Sequence, residues 1–386
     1  MNVLSRALAC LLLSTAGPLA TADPVPLSLA PGVFDPEQPD TLGLSAAPGA
    51  RTFTVYRPGE SDYRYNHGAV LTAFRGRLYV QWQSSRTDED APETEVRYAI
   101  SDDGGETWSE PRLLAGPRAD TVITNGGWWS DGETLVAYLN IWPADQSPRG
   151  GHAEYLLSEN GLDWGEPRPL LSADAEPVLG VIEQDMRALA CGRILTAVHT
   201  QPGLILKPYY TNDPLGIGGW RAGALENLAH NGEISRELEP SWYQREDESI
   251  VMVFRDQGSS HRILAAESRD LGATWSQPVE TNFPDSRSKQ SAGNLPDGRV
   301  FLVNNPRDSR DRLPLVISLS DDGHTFDRAY WVRAGGEDMQ AWRYPGRYKR
   351  EGYSYPKSYV HQGVIYVAYT TNKEDVEVTR IPAEGL

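Results

Sequence analysis

The chain has 386 residues, 36 basic and 53 acidic side chains, and a formal net charge of −17. A surface this acidic repels nucleic acid, and it would hold an acidic polymer only where arginines and lysines are gathered locally. Two cysteines, Cys10 and Cys191, and no apolar run beyond the amino terminus long enough to cross a bilayer exclude a disulfide scaffold and membrane insertion.

Residues 1–22 carry one charge, Arg6, then the apolar run 7–13 and the small-residue ending Ala20-Thr21-Ala22. This is the pattern of a cleavable secretory signal, so the expectation is a secreted or periplasmic protein that acts as a monomer. Residues 23–61 are rich in Pro, Gly and Ala and carry one β-type run, Arg51 to Tyr56. That run is read as a strand closing a ring against the last repeat.

Residues 62–386 repeat one theme: a first strand, a tight turn at Gly76, Gly132, Gly192, Glu248, Gly298 and Gly363, and an apolar second strand. Between repeats stand Ser101 to Trp108 (Ser-Asp-Asp-Gly-Gly-Glu-Thr-Trp) and its relatives ending at Trp164, Trp220, Trp275 and Phe326. Their aromatic anchors are 56, 56, 55 and 51 residues apart, the period of a radial array of β-units. Ser, Asp and Gly favour a tight turn through side-chain-to-backbone bonds, so the boxes are read as fasteners, with Asp103, Asp270 and Asp322 remote from chemistry. The fold class that follows is all-β, a six-bladed propeller, with a seventh blade left open if residues 23–61 supply more than one strand.

Counting nine residues back from each turn reaches His67, Ile123, Glu183, Glu239, Lys289 and Ser354; seven forward reaches Gln83, Leu139, His199, Arg255, Asn305 and Thr370. First strands begin and antiparallel second strands end on one face, so both rings meet at one mouth, with Tyr353 and Tyr355 flanking the sixth entry. Convergent ionisable groups at the axis of a closed β-structure are the default site, and a satisfied polar plug is the alternative. Arg287 and Lys289 in one loop and Arg343 in another suit a sulfate or carboxylate, since guanidinium meets planar anions with two bonds. No paired Cys or His spacing marks a zinc site, so no cofactor is expected, with a structural metal ion near Cys191 and His199 left open.

The boxes resemble the Asp-box of the sialidase (neuraminidase) superfamily, also known as the BNR repeat. The pair Glu239 and Arg255, sixteen apart across one hairpin, looks like that family's glutamate and second carboxylate-binding arginine. Gly352-Tyr353-Ser354 resembles the region of its tyrosine nucleophile, and Asp88 and Asp90 lie about where its acid/base aspartate does. The opening arginine motif is replaced by Tyr65-Asn66-His67-Gly68, and Arg287, Arg307 and Arg343 all compete for the third arginine. A histidine beside Arg and Tyr at a propeller mouth resembles the ulvan lyases and related enzymes acting at uronic acids, although Asn125 stands where a Tyr or Arg would be wanted.

The resemblance implies an enzyme that cleaves an acidic, uronic-acid-containing polysaccharide by β-elimination. Arg255 would neutralise the carboxylate, His67 or His199 would be the base, and Tyr353 or Tyr355 the acid. Asn66, Asp90, Asn125, Glu183, Arg287, Lys289 and Arg343 would bind the sugar. The first alternative is a sialidase-like exo-hydrolase using Asp90, Glu239 and Tyr353. The second is a non-catalytic glycan-binding propeller.

Overall fold

The structure is a computed structural model that describes residues 25–145 and 150–386. The expected signal segment, residues 1–22, lies outside the described residues. Among those described, the strands form six sheets of four or five strands arranged as the blades of a propeller, and one further two-stranded pair. The first four run in chain order, with innermost strands Tyr65–Phe74, Thr121–Ser130, Gly180–Ile182 (continued by Arg187–Ala188) and Glu237–Gln244. The fifth begins at Ser291–Asn294 and the sixth at Tyr353–His361.

Arg51–Tyr56 pairs antiparallel with Asp375–Pro382 and is the outermost strand of the sixth blade. It closes the ring as the sequence led us to expect, and the described residues 25–61 build no seventh blade. The rest of that segment is pinned on the way: Ser28–Leu29 pairs with Thr325–Phe326, and Ala46 bridges to Trp331.

Six apolar seams, one between each pair of neighbouring blades, make up the core. Each second strand contributes to the seams on both sides of its sheet. Leu135, Ala137 and Leu139 face the first blade while Val136 and Tyr138 face the third. Burial on both faces is why these strands read as continuous apolar runs rather than as alternating ones.

The boxes sit far from the mouth. His67 pairs with Gln83 at one end of the first sheet, whereas Ser101, which opens the first box, pairs with Leu78 at the other end. Asp103 Oδ1 accepts the amides of Glu106 and Thr107 at 3.0 and 2.9 Å, and Asp270 receives Thr274 in the same way at 2.8 Å. These carboxylates replace missing backbone partners in a turn and are spent there.

Candidate active site

Four innermost strands slip register at the same height, between His67 and Val70, Asn125 and Gly127, Leu238 and Ser241, and Ser354 and Lys357. Such a bulge leaves one residue unpaired and re-aims its side chain. In the first two blades glycines take the required positive φ, Gly68 at 66° and Gly127 at 100°. In the fourth and sixth, Glu239 (φ 51°) and Tyr355 (φ 56°) take it despite their side chains, and a proline follows each. Each left-handed residue costs about 1–2 kcal/mol, a strain the surrounding sheets must hold. The bulges carry both side chains to a cavity of about 150 Å3 that His67, Glu183, His199 and Lys289 also line.

There Tyr355 Oη donates to Glu239 Oε1 at 2.5 Å, and Arg255 Nη1 donates to Glu239 Oε2 at 2.7 Å and to Tyr355 Oη at 2.9 Å. Gln257 holds the other arm of Arg255 at 2.8 Å. Burial pushes the Glu239 carboxyl up, but Arg255 and then Lys289 outweigh it and hold it below the usual carboxylate range. Burial and the Glu239 charge raise the Tyr355 phenol. At neutral pH the pair is therefore a protonated phenol hydrogen-bonded to a carboxylate, bridged by one guanidinium.

His67 stands over Tyr355 with ring centroids 4.1 Å apart. Its Nδ1 is 3.4 Å from Thr370 Oγ1, and its buried Nε2 has no hydrogen-bond partner, Glu89 Oε1 lying 3.9 Å away. Burial, then Lys373, Arg312, Lys289 and Arg255, hold the imidazole well below its ordinary value, so it is neutral. Lys373 donates to Glu89 at 2.6 Å, and burial lowers its ammonium to about 8.

His199 has a different job. Its Nε2 accepts the backbone N–H of Glu239 at 3.2 Å, and its Nδ1 lies 3.0 Å from Glu183 Oε1. This sets the tautomer, with the proton on Nδ1, and commits the Nε2 lone pair to the strained residue. Glu183 is in turn paired with Lys289 at 2.8 Å, and Lys289 and His199 overcome burial to keep it ionised.

A family profile described as a BNR repeat-like domain matches residues 76–367. The chain belongs to the BNR-repeat family. Solved structures similar to this BNR propeller include a protein titled sialidase, 20% identical with a TM-score of 0.68, covering 92% of this chain and 35% of its own. A Hadza microbial sialidase is 14% identical with a TM-score of 0.67, covering 87% and 69%. The intramolecular trans-sialidase from Ruminococcus gnavus, in complex with oseltamivir carboxylate, is 14% identical with a TM-score of 0.64, covering 89% and 99%. At these identities the likeness is one of fold, and the chain spans only 35% of the first sialidase's length. Among curated proteins none matches by sequence.

Not every expected residue of the BNR propeller reaches the mouth. Tyr353 lies in the seam between blades five and six, its Oη bonded to Ala334 O at 2.9 Å and its ring against Tyr369 and Arg333. It does not face the cavity, and Tyr355 is the tyrosine that does. Asn66 is structural too: its amide donates to Tyr63 O and Glu374 O, and its Oδ1 accepts from Trp82 and Ser84. Arg343 is consumed by Glu374 and Asp375.

Asn125 and Asp90 line the cavity, and the buried Asn125 Oδ1 has no partner. Arg287 lies on the loop entering blade five, half-buried. Cys191 packs at the edge of the seam between blades three and four, and no group of three metal-ligating side chains is found among the described residues.

Three groups at the site escaped the sequence reading: Glu89, Lys373 and Arg312, whose guanidinium lies 5.0 Å from the Tyr355 ring centre. They sit on loops between second and third strands, where no fixed offset from a turn could find them. For Tyr355 a signal existed, since Glu239-Pro240 and Tyr355-Pro356 break their strands at matching places, and proline inside a sheet marks a bulge.

Proposed function

We propose that this BNR propeller is a secreted glycosidase that cleaves an acidic sugar from a glycan, with Tyr355 as nucleophile and Glu239 as its base. The observation that carries this is the 2.5 Å bond from Tyr355 Oη to Glu239 Oε1 under the bridging Arg255. As Tyr355 Oη attacks the anomeric carbon, its proton passes to Glu239, and Arg255 stabilises the charge moving between the two oxygens. Glu89 or Asp90, both lining the cavity, protonates the departing glycosidic oxygen. Water then cleaves the tyrosyl–sugar bond with the same groups in reverse roles. A neutral phenol suits an anionic sugar, because a carboxylate nucleophile would be repelled by the substrate's own carboxylate. Lys289, Arg312 and Lys373 around the Tyr355 ring favour such a substrate.

A second reading, β-elimination at a uronic acid, draws on His67: its unpartnered Nε2 and its ring 4.1 Å from Tyr355 would make the base and acid of a lyase. It ranks second because the burial and the cations that keep His67 neutral make it a weak base. The deciding experiment follows reducing ends and ultraviolet absorbance together on a panel of acidic glycans. Reducing ends without absorbance support the glycosidase; an unsaturated, absorbing product would overturn it in favour of elimination.

A further inference from the structure

Residues 28–44 contribute no strand to any blade. They form a strap beside the seam between blades four and five. On one side of it is Pro284, where the outermost strand Val279–Pro284 of blade four ends, and on the other are residues 306–309, which follow the second strand Val300–Asn304 of blade five. Strap and blades enclose a cavity of about 550 Å3, more than three times the volume of about 150 Å3 at Tyr355. That size falls within the range of about 300–1,000 Å3 usual for small-molecule sites.

The strap is tied at several points. Leu29 N donates to Asn282 Oδ1 at 2.8 Å, and Asn282 Nδ2 returns a bond to Leu29 O at 2.9 Å. The Phe34 ring meets the edge of Phe283 at 5.9 Å between centroids. Asp35 N donates to Leu42 O at 2.9 Å, Arg307 Nη1 to Pro39 O at 3.0 Å, and Gly335 N to Asp40 O at 2.8 Å. A segment that merely sealed the seam would collapse onto it, because apolar walls without a filling forfeit their contacts. These ties instead hold an arch open, and Val33 and Phe34 stay partly exposed.

The walls are hydrocarbon. Leu29, Val33, Phe34 and Leu42 line the cavity from the strap. Pro31, Pro36, Pro284 and Pro306 complete it, and none of the four has a backbone N–H to offer. A sugar would leave its hydroxyls without partners against such a surface, whereas an alkyl chain loses nothing there.

Charge enters at residues 307 and 308. Arg307, one of the three candidates for a third arginine in the sequence, lines this cavity and not the one at Tyr355. Its neighbour Asp308 is matched by Arg262, and Asp35 on the strap spends its carboxylate on the Glu37 amide at 3.0 Å and Gln38 Nε2 at 2.7 Å. Among the described residues Arg307 makes no ion pair, and the Pro39 carbonyl takes only one corner of its guanidinium.

We propose that this cavity is a binding site for a fatty acid, its chain lying against Val33, Phe34 and Leu42 and its carboxylate on Arg307. The chain would displace water from the apolar walls, and the head would give the guanidinium fork the planar anion it fits. Occupancy asks nothing of Tyr355 or Glu239, so the site stands or falls apart from the glycosidase reading.

Titration calorimetry of the whole protein with hexanoate, octanoate and decanoate tests it. One site per chain is expected, with affinity rising about fourfold for each added methylene until the cavity is full. Arg307→Gln should weaken decanoate about tenfold or more, the loss of one charge-assisted contact, while decanol stays within about twofold. Val33→Trp, which fills the cavity from the strap, should abolish binding of both. Val33 and Arg307 are both partly exposed, so each variant should keep its melting temperature; if Val33→Trp melts early, the comparison of decanoate with decanol in Arg307→Gln decides alone. No binding of decanoate, an affinity independent of chain length, or a decanoate affinity untouched by Arg307→Gln would each overturn the site.

Discussion

Tyr355→Phe removes one oxygen and leaves the ring, with its contact to His67 at 4.1 Å, in place. That oxygen donates to Glu239 at 2.5 Å and accepts from Arg255 at 2.9 Å, two bonds to charged partners in a buried site. Hydrogen bonds to charged groups contribute about 1.5–3 kcal/mol each. Here the Glu239–Arg255 pair survives at 2.7 Å, so the net loss of folding stability should stay near the low end, about 2 kcal/mol. Turnover should fall much further, because the loss is of the attacking atom: about a thousandfold or more, some 4 kcal/mol of barrier. The assay is release of a fluorescent aglycone from acidic-sugar glycosides, with intact-protein mass spectrometry to look for a sugar-labelled wild type. A Phe variant that folds and turns over within about tenfold of wild type would refute the nucleophile assignment.

Tyr353→Phe is the matched control, two residues away: losing the bond to Ala334 O should cost about 1 kcal/mol in urea unfolding while turnover stays at the wild-type level. His67 is held neutral in the fold, so below about pH 6.5 the unfolded chain binds a proton the native one does not. Unfolding free energy should therefore rise with pH up to about 6.5, and urea titrations on His67→Gln should show a shallower slope in that window. Because Glu239 is held below its ordinary value, the acidic limb of the rate profile should lie below about pH 4.3, and a limb above about pH 5 would assign the base elsewhere. His199→Ala strips the acceptor from the Glu239 amide and should lower both melting temperature and turnover, costing about 1–3 kcal/mol, whereas His199→Gln, which can still accept, should recover part of each.

The architecture was legible because its signals are local. An Asp or Ser that caps its own turn needs only the next few residues, so the boxes and their spacing announce the blades, and strands buried on both faces announce the seams. Antiparallel pairing carried the argument one step further, to the common mouth of Glu183, His199, Glu239, Lys289 and His67.

Alternation along a strand is where that reasoning broke. Residues two apart should share a face, so Tyr353 and Tyr355 looked equivalent, yet the left-handed turn at Tyr355 sends one to the seam and the other to the cavity.

By itself the sequence determined the repeat, the turns, the closing strand and which residue types arrive at the mouth. Only the tertiary structure decided what each of them is there. Glu239 and Tyr355 are 116 residues apart, and His199 and Glu239 are 40. The carboxylate is kept ionised by Arg255 across its own hairpin and by Lys289 from the next blade, the phenol is kept protonated by burial and by the Glu239 charge from another blade, and the histidine lone pair is spent on a donor from the neighbouring blade. Coulomb interaction and desolvation depend on distance in space, which the spacing along a chain does not encode until the ring has closed.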